Sequence, residues 1–312
     1  MSNQKTFYNI AFISKIDIAN LNSGEGGGGN ITPLKKIQTF DGEDYAYVSG
    51  QALRRYIKET MHQLGATITG VDEKGEPYLK NVVEKGKVED IKKLYKECVD
   101  LDLFGYMLTS KGQGSSRRWS PIKVSALISL LPYRDQKDFL TRKQAKEDKS
   151  SGNIVQTEID TFNYMKSNIV VDTDKIGRDI NEFTYQVEND YLTDEERANR
   201  LNIFIESIKN LNGGSKQARL LQDLAPKFVI AIKQKAANPF LLTTPRLDEK
   251  ENINIENIIE VIKDNKDIIE NISFGITDKG LFKNYEEIEK TLDNIDYIDF
   301  TTVNKALDTL KL

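Results

Sequence analysis

The chain is 312 residues long, enough for one large core or for two or three domains. With 38% hydrophobic and 29% charged residues it has a globular composition, and no apolar run reaches the length of a membrane span. A net charge of −4 excludes a uniformly basic nucleic-acid binder and leaves only local basic surfaces for phosphate.

Charge is unevenly spread. Residues 246–312 hold 9 Lys and Arg against 16 Asp and Glu, whereas residues 1–245 hold 35 against 32. Lys111 to Lys123 carries four cations and no acid, and Lys209 to Lys235 carries six cations against Asp223 alone. Either run can be a solvated face or a phosphate contact. The opening MSNQKTFYN has neither a basic nor an apolar stretch, so no secretion signal is expected. The single cysteine, Cys98, can form no internal disulfide, and a reducing cytoplasm is the expected location.

In chain order, Thr6 to Ile18 reads as a central strand, followed by a glycine-rich loop from Asn20. Tyr45 to Val48 reads as a short strand. Ser49 is a good N-cap for a helix over Gln51 to Leu64, with Leu53, Ile57 and Met61 on its apolar face. Residues 65–131 read as an insertion, with a helical pattern through Val88, Ile91, Leu94, Tyr95 and Cys98. Within it, Val124 to Leu131 is a buried strand or helix. Pro132 to Glu158 is polar and reads as a protruding loop or hairpin. Ile169 to Val171 and Phe183 to Val187 are strand-like. Leu201, Phe204, Ile205, Ile208 and Leu211 mark an amphipathic helix, ahead of a glycine turn at Asn212 to Ser215 and a strand at Phe228 to Ile232. Residues 246–312 read as an acidic, mostly helical segment. Without its insertions the order is strand, helix, strands, helix, strand. That predicts an α+β fold with a ferredoxin-like, RNA-recognition type of core over 1–64 and 159–245. The aromatic stacking signature of that fold is missing, so the open sheet face is not expected to bind RNA.

Three segments carry a resemblance. Phe40-Asp41-Gly42-Glu43-Asp44-Tyr45-Ala46-Tyr47-Val48-Ser49-Gly50-Gln51-Ala52-Leu53-Arg54-Arg55 resembles the strand-to-helix signature of DevR-type proteins. These are the repeating backbone subunits of type I (I-B-like) CRISPR surveillance complexes, or Cascade. Asp102-Leu103-Phe104-Gly105-Tyr106-Met107 with Arg117-Arg118-Trp119-Ser120-Pro121 is similar to their helical insertion. Gly213-Gly214-Ser215-Lys216-Gln217-Ala218-Arg219 is similar to the glycine-rich turn of repeat-associated RNA-binding proteins. The resemblance implies a modified RNA-recognition palm, a helical finger at 65–131 and a thumb hairpin at 132–158. It further implies copies of the chain stacked as a helical filament along a CRISPR RNA, with target DNA bound through the guide. The other implied partners are the handle-binding, large and repeat-processing subunits; no membrane is among them.

A holder blind to sequence must grip phosphates rather than base edges. The candidate RNA contacts are Asn20, Asn22, Ser49, Gly50, Gln51, Arg54, Arg55, Arg117, Arg118, Lys137, Arg142, Gly213, Gly214, Ser215, Lys216 and Arg219. Ser49-Gly50-Gln51 offers helix N-terminal N–H groups, and of Arg54 and Arg55 one can face RNA while the other pairs with Glu59. Gly213 and Gly214 allow close backbone approach; a plain helix cap explains them equally. Trp119 is expected in the core and at least one of its arginine neighbours on RNA. Asp17, Asp41 and Asp44 are the carboxylates nearest to a nuclease reading, with turn and capping roles as the alternative. His62 is expected to be structural. The expected function is non-catalytic guide-RNA binding without a cofactor. The alternatives are a metal-dependent endoribonuclease and a DNA-binding regulator.

Overall fold

β1 (Phe7–Ala19) contains no glycine or proline, and its side chains alternate between two cores. Tyr8, Ile10, Phe12 and Ile16 enter one; Ala11 and Ile13 enter the other. A strand apolar on both faces belongs in the middle of a covered sheet, and β1 lies there. The computed structural model describes residues 5–24, 30–70, 73, 96–110, 114–141, 154–181 and 183–312.

After β1 come three short strands, β2 (Ile31–Thr32), β3 (Lys36–Gln38) and β4 (Asp44–Val48). Helix α1 (Gly50–Gln63) starts where predicted: Ser49 Oγ accepts the Ala52 N–H at 3.3 Å, and Leu53, Ile57 and Met61 are buried. Next are α2 (Val99–Phe104) and the hairpin β5 (Tyr106–Ser110) with β6 (Gly114–Arg118). The apolar run from Val124 resolves as strand, β7 (Ile122–Val124) and β8 (Leu127–Ser129), both antiparallel to the long β10 (Ile154–Asp172). Most of the helical pattern from Val88 lies outside the described residues.

β9 (Gln136–Thr141) pairs with β10 from Gln136↔Ile159 to Thr141↔Ile154. The base of the expected thumb is therefore a formed hairpin in the isolated chain. Of the loop and hairpin readings, the hairpin is the one formed at the base, held by the ladder hydrogen bonds of that pairing. Its centre, with Arg142, lies outside the described residues.

A small hairpin, β11 (Arg178–Ile180) and β12 (Val187–Asp190), precedes α3 (Asp194–Lys209). Here the expected strand over Phe183 to Val187 is mostly turn. Asn181 Oδ1 accepts the N–H groups of Phe183 and Thr184, and Tyr185 adopts φ +57°. Local side-chain hydrogen bonding overrides the strand preference of the aromatics. β13 (Phe228–Gln234) pairs with β1.

The acidic segment is more than a helical appendix. Between α4 (Ile255–Asp264) and α5 (Tyr285–Asp293), β14 (Ile269–Ile276) pairs antiparallel with β13. β15 (Asp299–Thr301) adds a parallel edge before α6 (Val303–Asp308). The main sheet runs β15-β14-β13-β1-β10-β8-β4-β3. Helices α1, α3 and α6 line one face, and α4 and α5 close the other. The second face of the sheet is thus filled by this chain's own Ile255, Ile258, Ile259 and Ile262.

Candidate nucleic-acid interface

Past Ala19 the chain meets two distant segments. Asn20 is buried; its Nδ2 donates to the Glu158 carbonyl and its own carbonyl accepts the Ser215 N–H, each at 2.8 Å. Ser23 Oγ lies 2.8 Å from Ser215 Oγ. The glycine turn rests on α1: a Cβ built on Gly213 would come within 2.4 Å of the Tyr56 ring, while Tyr56 Oη donates to the Leu21 carbonyl. Gly214 has φ +118° and Lys216 φ +58°, and Lys216 is exposed. Asn22 Nδ2 is buried with no hydrogen-bond partner among the described residues. Asn20, Asn22, Gly213, Gly214, Ser215 and Lys216 thus share one cradle at the end of β1.

The hairpin base is welded to this cradle. Glu158 accepts from the Leu34 N–H at 3.0 Å and from Lys36 Nζ at 2.9 Å. Arg219 bonds Asp138 on β9 and donates to Thr157 Oγ1 on β10 at 2.7 Å. Its charge serves the hairpin, not an open surface. Lys137 is exposed, 3.9 Å from Asp135.

Asp160, opposite Ala19, is 3% exposed, and burial pushes its carboxyl up from 3.8 to about 6 despite hydrogen bonds from Asn163 and Thr161. An acid whose pKa is raised on folding destabilises the fold once ionised, so stability falls as pH rises from about 4 through about 6. Asp160→Asn is expected to raise the melting temperature relative to the parent at pH 7.5, with the difference vanishing below pH ~4. Melting curves across pH check this; an advantage that grows in acid contradicts it.

At the start of α1, Ser49 spends its side chain on the cap, and a Cβ on Gly50 would sit 2.9 Å from the Val124 carbonyl oxygen. Gln51 is exposed. The two arginines diverge as helix geometry requires. Arg55 is exposed and pairs with Glu59 at 2.7 Å. Arg54 is half-buried, bonds the Phe104 carbonyl and lies 5.4 Å over the Phe104 ring. It ties α1 to the end of α2, so of the pair only Arg55 stands at the surface.

In the segment Arg117-Arg118-Trp119 the tryptophan departs from expectation and the two arginines part, Arg117 to the surface and Arg118 to the interior. Arg118 points inward: it bonds the fully buried Asp102 carboxylate and donates to the carbonyls of Lys175 at 2.7 Å and Arg178 at 2.8 Å. Arg200 holds the other Asp102 oxygen at 2.6 Å, and the Gly177 N–H donates to the same carboxylate at 3.0 Å. Arg118 is thus a structural anchor rather than an RNA contact. Trp119, expected in the core, is 62% exposed with the Arg117 guanidinium 5.3 Å from its ring centroid. Side chains alternate along extended backbone, so driving Arg118 inward turns Arg117 and Trp119 outward.

Asp41 accepts from Thr39 Oγ1 and the Glu43 N–H within its own turn. Among the described residues no three or more His, Cys, Asp or Glu gather as metal ligands. His62 Nδ1 lies 3.3 Å from the Ala66 carbonyl at the end of α1. The sequence reading missed Tyr56, Glu158 and the Asp102–Arg200 pair. Only Asp102 left a trace, as an acid set between two leucines of an apolar helix.

The sequence matches no curated protein, and no helix among the described residues is long and apolar enough to cross a membrane. Among the solved structures that share the fold, two illustrate the likeness. One is a chain of a "CRISPR RNA-guided surveillance complex, pre-nicking", with TM-score 0.62 and 12% identity over 97% of this chain and 98% of that one. The other, from a "CRISPR RNA-guided surveillance complex", has TM-score 0.59 and 13% identity with the same coverage. The profile of the family described as "CRISPR-associated negative auto-regulator DevR/Csa2" matches residues 10–252, which takes in α1, the β5–β6 hairpin, the hairpin base and the glycine turn. By that match the chain belongs to the CRISPR-associated DevR/Csa2 family.

Proposed function

We propose that this protein is a non-catalytic backbone subunit of a Cascade-type surveillance complex that grips guide RNA by its phosphates and supports its pairing with target DNA. The observation that carries the reading is the cradle at the end of β1. Three segments far apart in sequence are held together there before any ligand arrives, with main-chain groups, serine hydroxyls, the buried Asn22 amide and Lys216 around them. Such a surface suits a sugar-phosphate strand and carries no base code. The filled second sheet face supports it too, since RNA must then bind at strand ends and loops.

In this reading β1, α1, β7–β8, β10, α3 and β13 are a modified RNA-recognition palm, which takes β7–β8 out of the finger expected at 65–131 because both strands pair with β10. Their chain order is strand, helix, strand, strand, helix, strand, and their sheet order β13-β1-β10-β8 is antiparallel throughout. The β5–β6 region belongs to the finger and the β9–β10 hairpin to the thumb. Copies of the chain stack along one CRISPR RNA in the cytoplasm, beside the handle-binding, large and repeat-processing subunits. Asp41 is a turn residue rather than a metal ligand.

Purified protein is expected to carry RNA of discrete, protected lengths and to leave it uncut with Mg²⁺ or Mn²⁺. Lys216→Gln should weaken binding alike for all sequences and reduce the salt slope by about 1. Absence of protected RNA together with an unchanged slope in the variant overturns the reading. Cleavage that co-purifies with the parent and disappears in Asp41→Ala replaces it with an endoribonuclease.

A further inference from the structure

The chain's only tryptophan is at the surface, and the surrounding backbone explains how it is kept there. On one side Arg118 is fastened by Asp102 and two carbonyls. On the other, Ser120 Oγ lies 3.2 Å from the Leu103 carbonyl and also bonds that of Ile122. Gly105, at φ +67°, lets the three-residue step pass close: a Cβ there would fall 2.3 Å from the Arg118 carbonyl oxygen and 2.9 Å from the Ser120 nitrogen. Trp119 therefore stands on a clamped backbone. Arg117 lies over its ring, and Met107, the cross-strand partner of Arg117, is 77% exposed beside it.

We propose that Trp119 with Arg117 is a stacking platform for one unpaired nucleobase of a single strand. An exposed aromatic ring on clamped backbone, beside a cation, suits both halves of a nucleotide: the ring takes the base, and the guanidinium meets the adjoining phosphate. Charge complementarity favours a nucleic acid over a protein partner: with Arg118 tied to Asp102, Arg117 over the ring and Lys123, four residues past Trp119, are exposed cations, and the sequence between them holds no acid. The platform lies on the finger, apart from the cradle, and the proposal rests on the RNA-binding reading of the chain. An RNA strand and a DNA strand offer the same stacking chemistry.

Being the only tryptophan, Trp119 reports on itself. RNA-free full-length chain is titrated with dye-labelled oligo(U), oligo(dT) and a duplex, following dye anisotropy and indole emission together. Quenching of the emission by at least one single strand, and not by the duplex, is expected; the strand that quenches identifies the source. In anisotropy, Trp119→Ala is expected to bind that strand about ten-fold or more weakly, with Trp119→Phe near the parent. Circular dichroism melts of both variants should match the parent, since the side chain is exposed. Saturating anisotropy with emission unchanged by either strand overturns the platform and leaves the RNA-binding reading intact. Equal quenching by the duplex also overturns it. An absence of binding in all arms overturns both.

Discussion

Replacing Asp102 with alanine is expected to remove about 3–5 kcal/mol of folding stability, the cost of leaving buried charge uncompensated. Asp102 is fully buried, and the guanidinium groups of Arg118 and Arg200 converge on its two oxygens with side chains only 7% and 8% exposed. Without the carboxylate, two cations face each other in a space with little water, and the Gly177 N–H loses its acceptor. The three elements pinned there are α2, the β6 end of the β5–β6 hairpin and α3. Urea unfolding of the Asp102→Ala protein measures the loss. Arg117→Ala, one position from Arg118 but exposed, serves as the control and should stay within about 0.5 kcal/mol of the parent. A loss under 1 kcal/mol for Asp102→Ala means that the triad does not hold the β5–β6 hairpin in place.

The second large effect is expected at the cradle. Gly213→Ala places a methyl group 2.4 Å from the Tyr56 ring, so either the ring or the turn must move. The ring is tied through its hydroxyl to the Leu21 carbonyl, and the turn to Asn20 through the Ser215 N–H. Both sides of the cradle shift together. The stability cost is that of overpacking, about 1–3 kcal/mol. The binding cost is larger in relative terms: RNA affinity should fall about ten-fold or more, because contacts to backbone phosphates depend on fixed amide positions. Space can be returned by truncating the ring. Tyr56→Ala in the Gly213→Ala background should therefore cost less stability than the two single losses added, a coupling of about 1 kcal/mol or more. Strictly additive losses mean that the close approach to Tyr56 is not what glycine serves at 213.

Much of the frame could be read from local chemistry. β1 announced itself by apolar residues on both faces with nothing to break the strand. Ser49 followed by Leu53, Ile57 and Met61 marked a capped helix, and the helix starts there. These features arise from a residue and its near neighbours in the chain, and short-range sterics and hydrogen bonds decide them before tertiary contacts act. The segment Phe40 to Arg55 carried the family resemblance for the same reason, since its motif is continuous.

Tertiary structure decided what each charged or aromatic side chain meets. Arg118 is an anchor because Asp102 and Arg200, the latter 82 residues further along the chain, converge beside it, and strand alternation then turns Trp119 to solvent. Arg219 looked like a phosphate ligand until the β9–β10 hairpin placed Asp138 against it. The acidic composition of residues 246–312 gave no hint that β14 would extend the sheet or that α4 would seal its second face. Composition records how many charges a segment has. Which of them remain at the surface depends on register, and register is set by pairing between residues far apart in sequence.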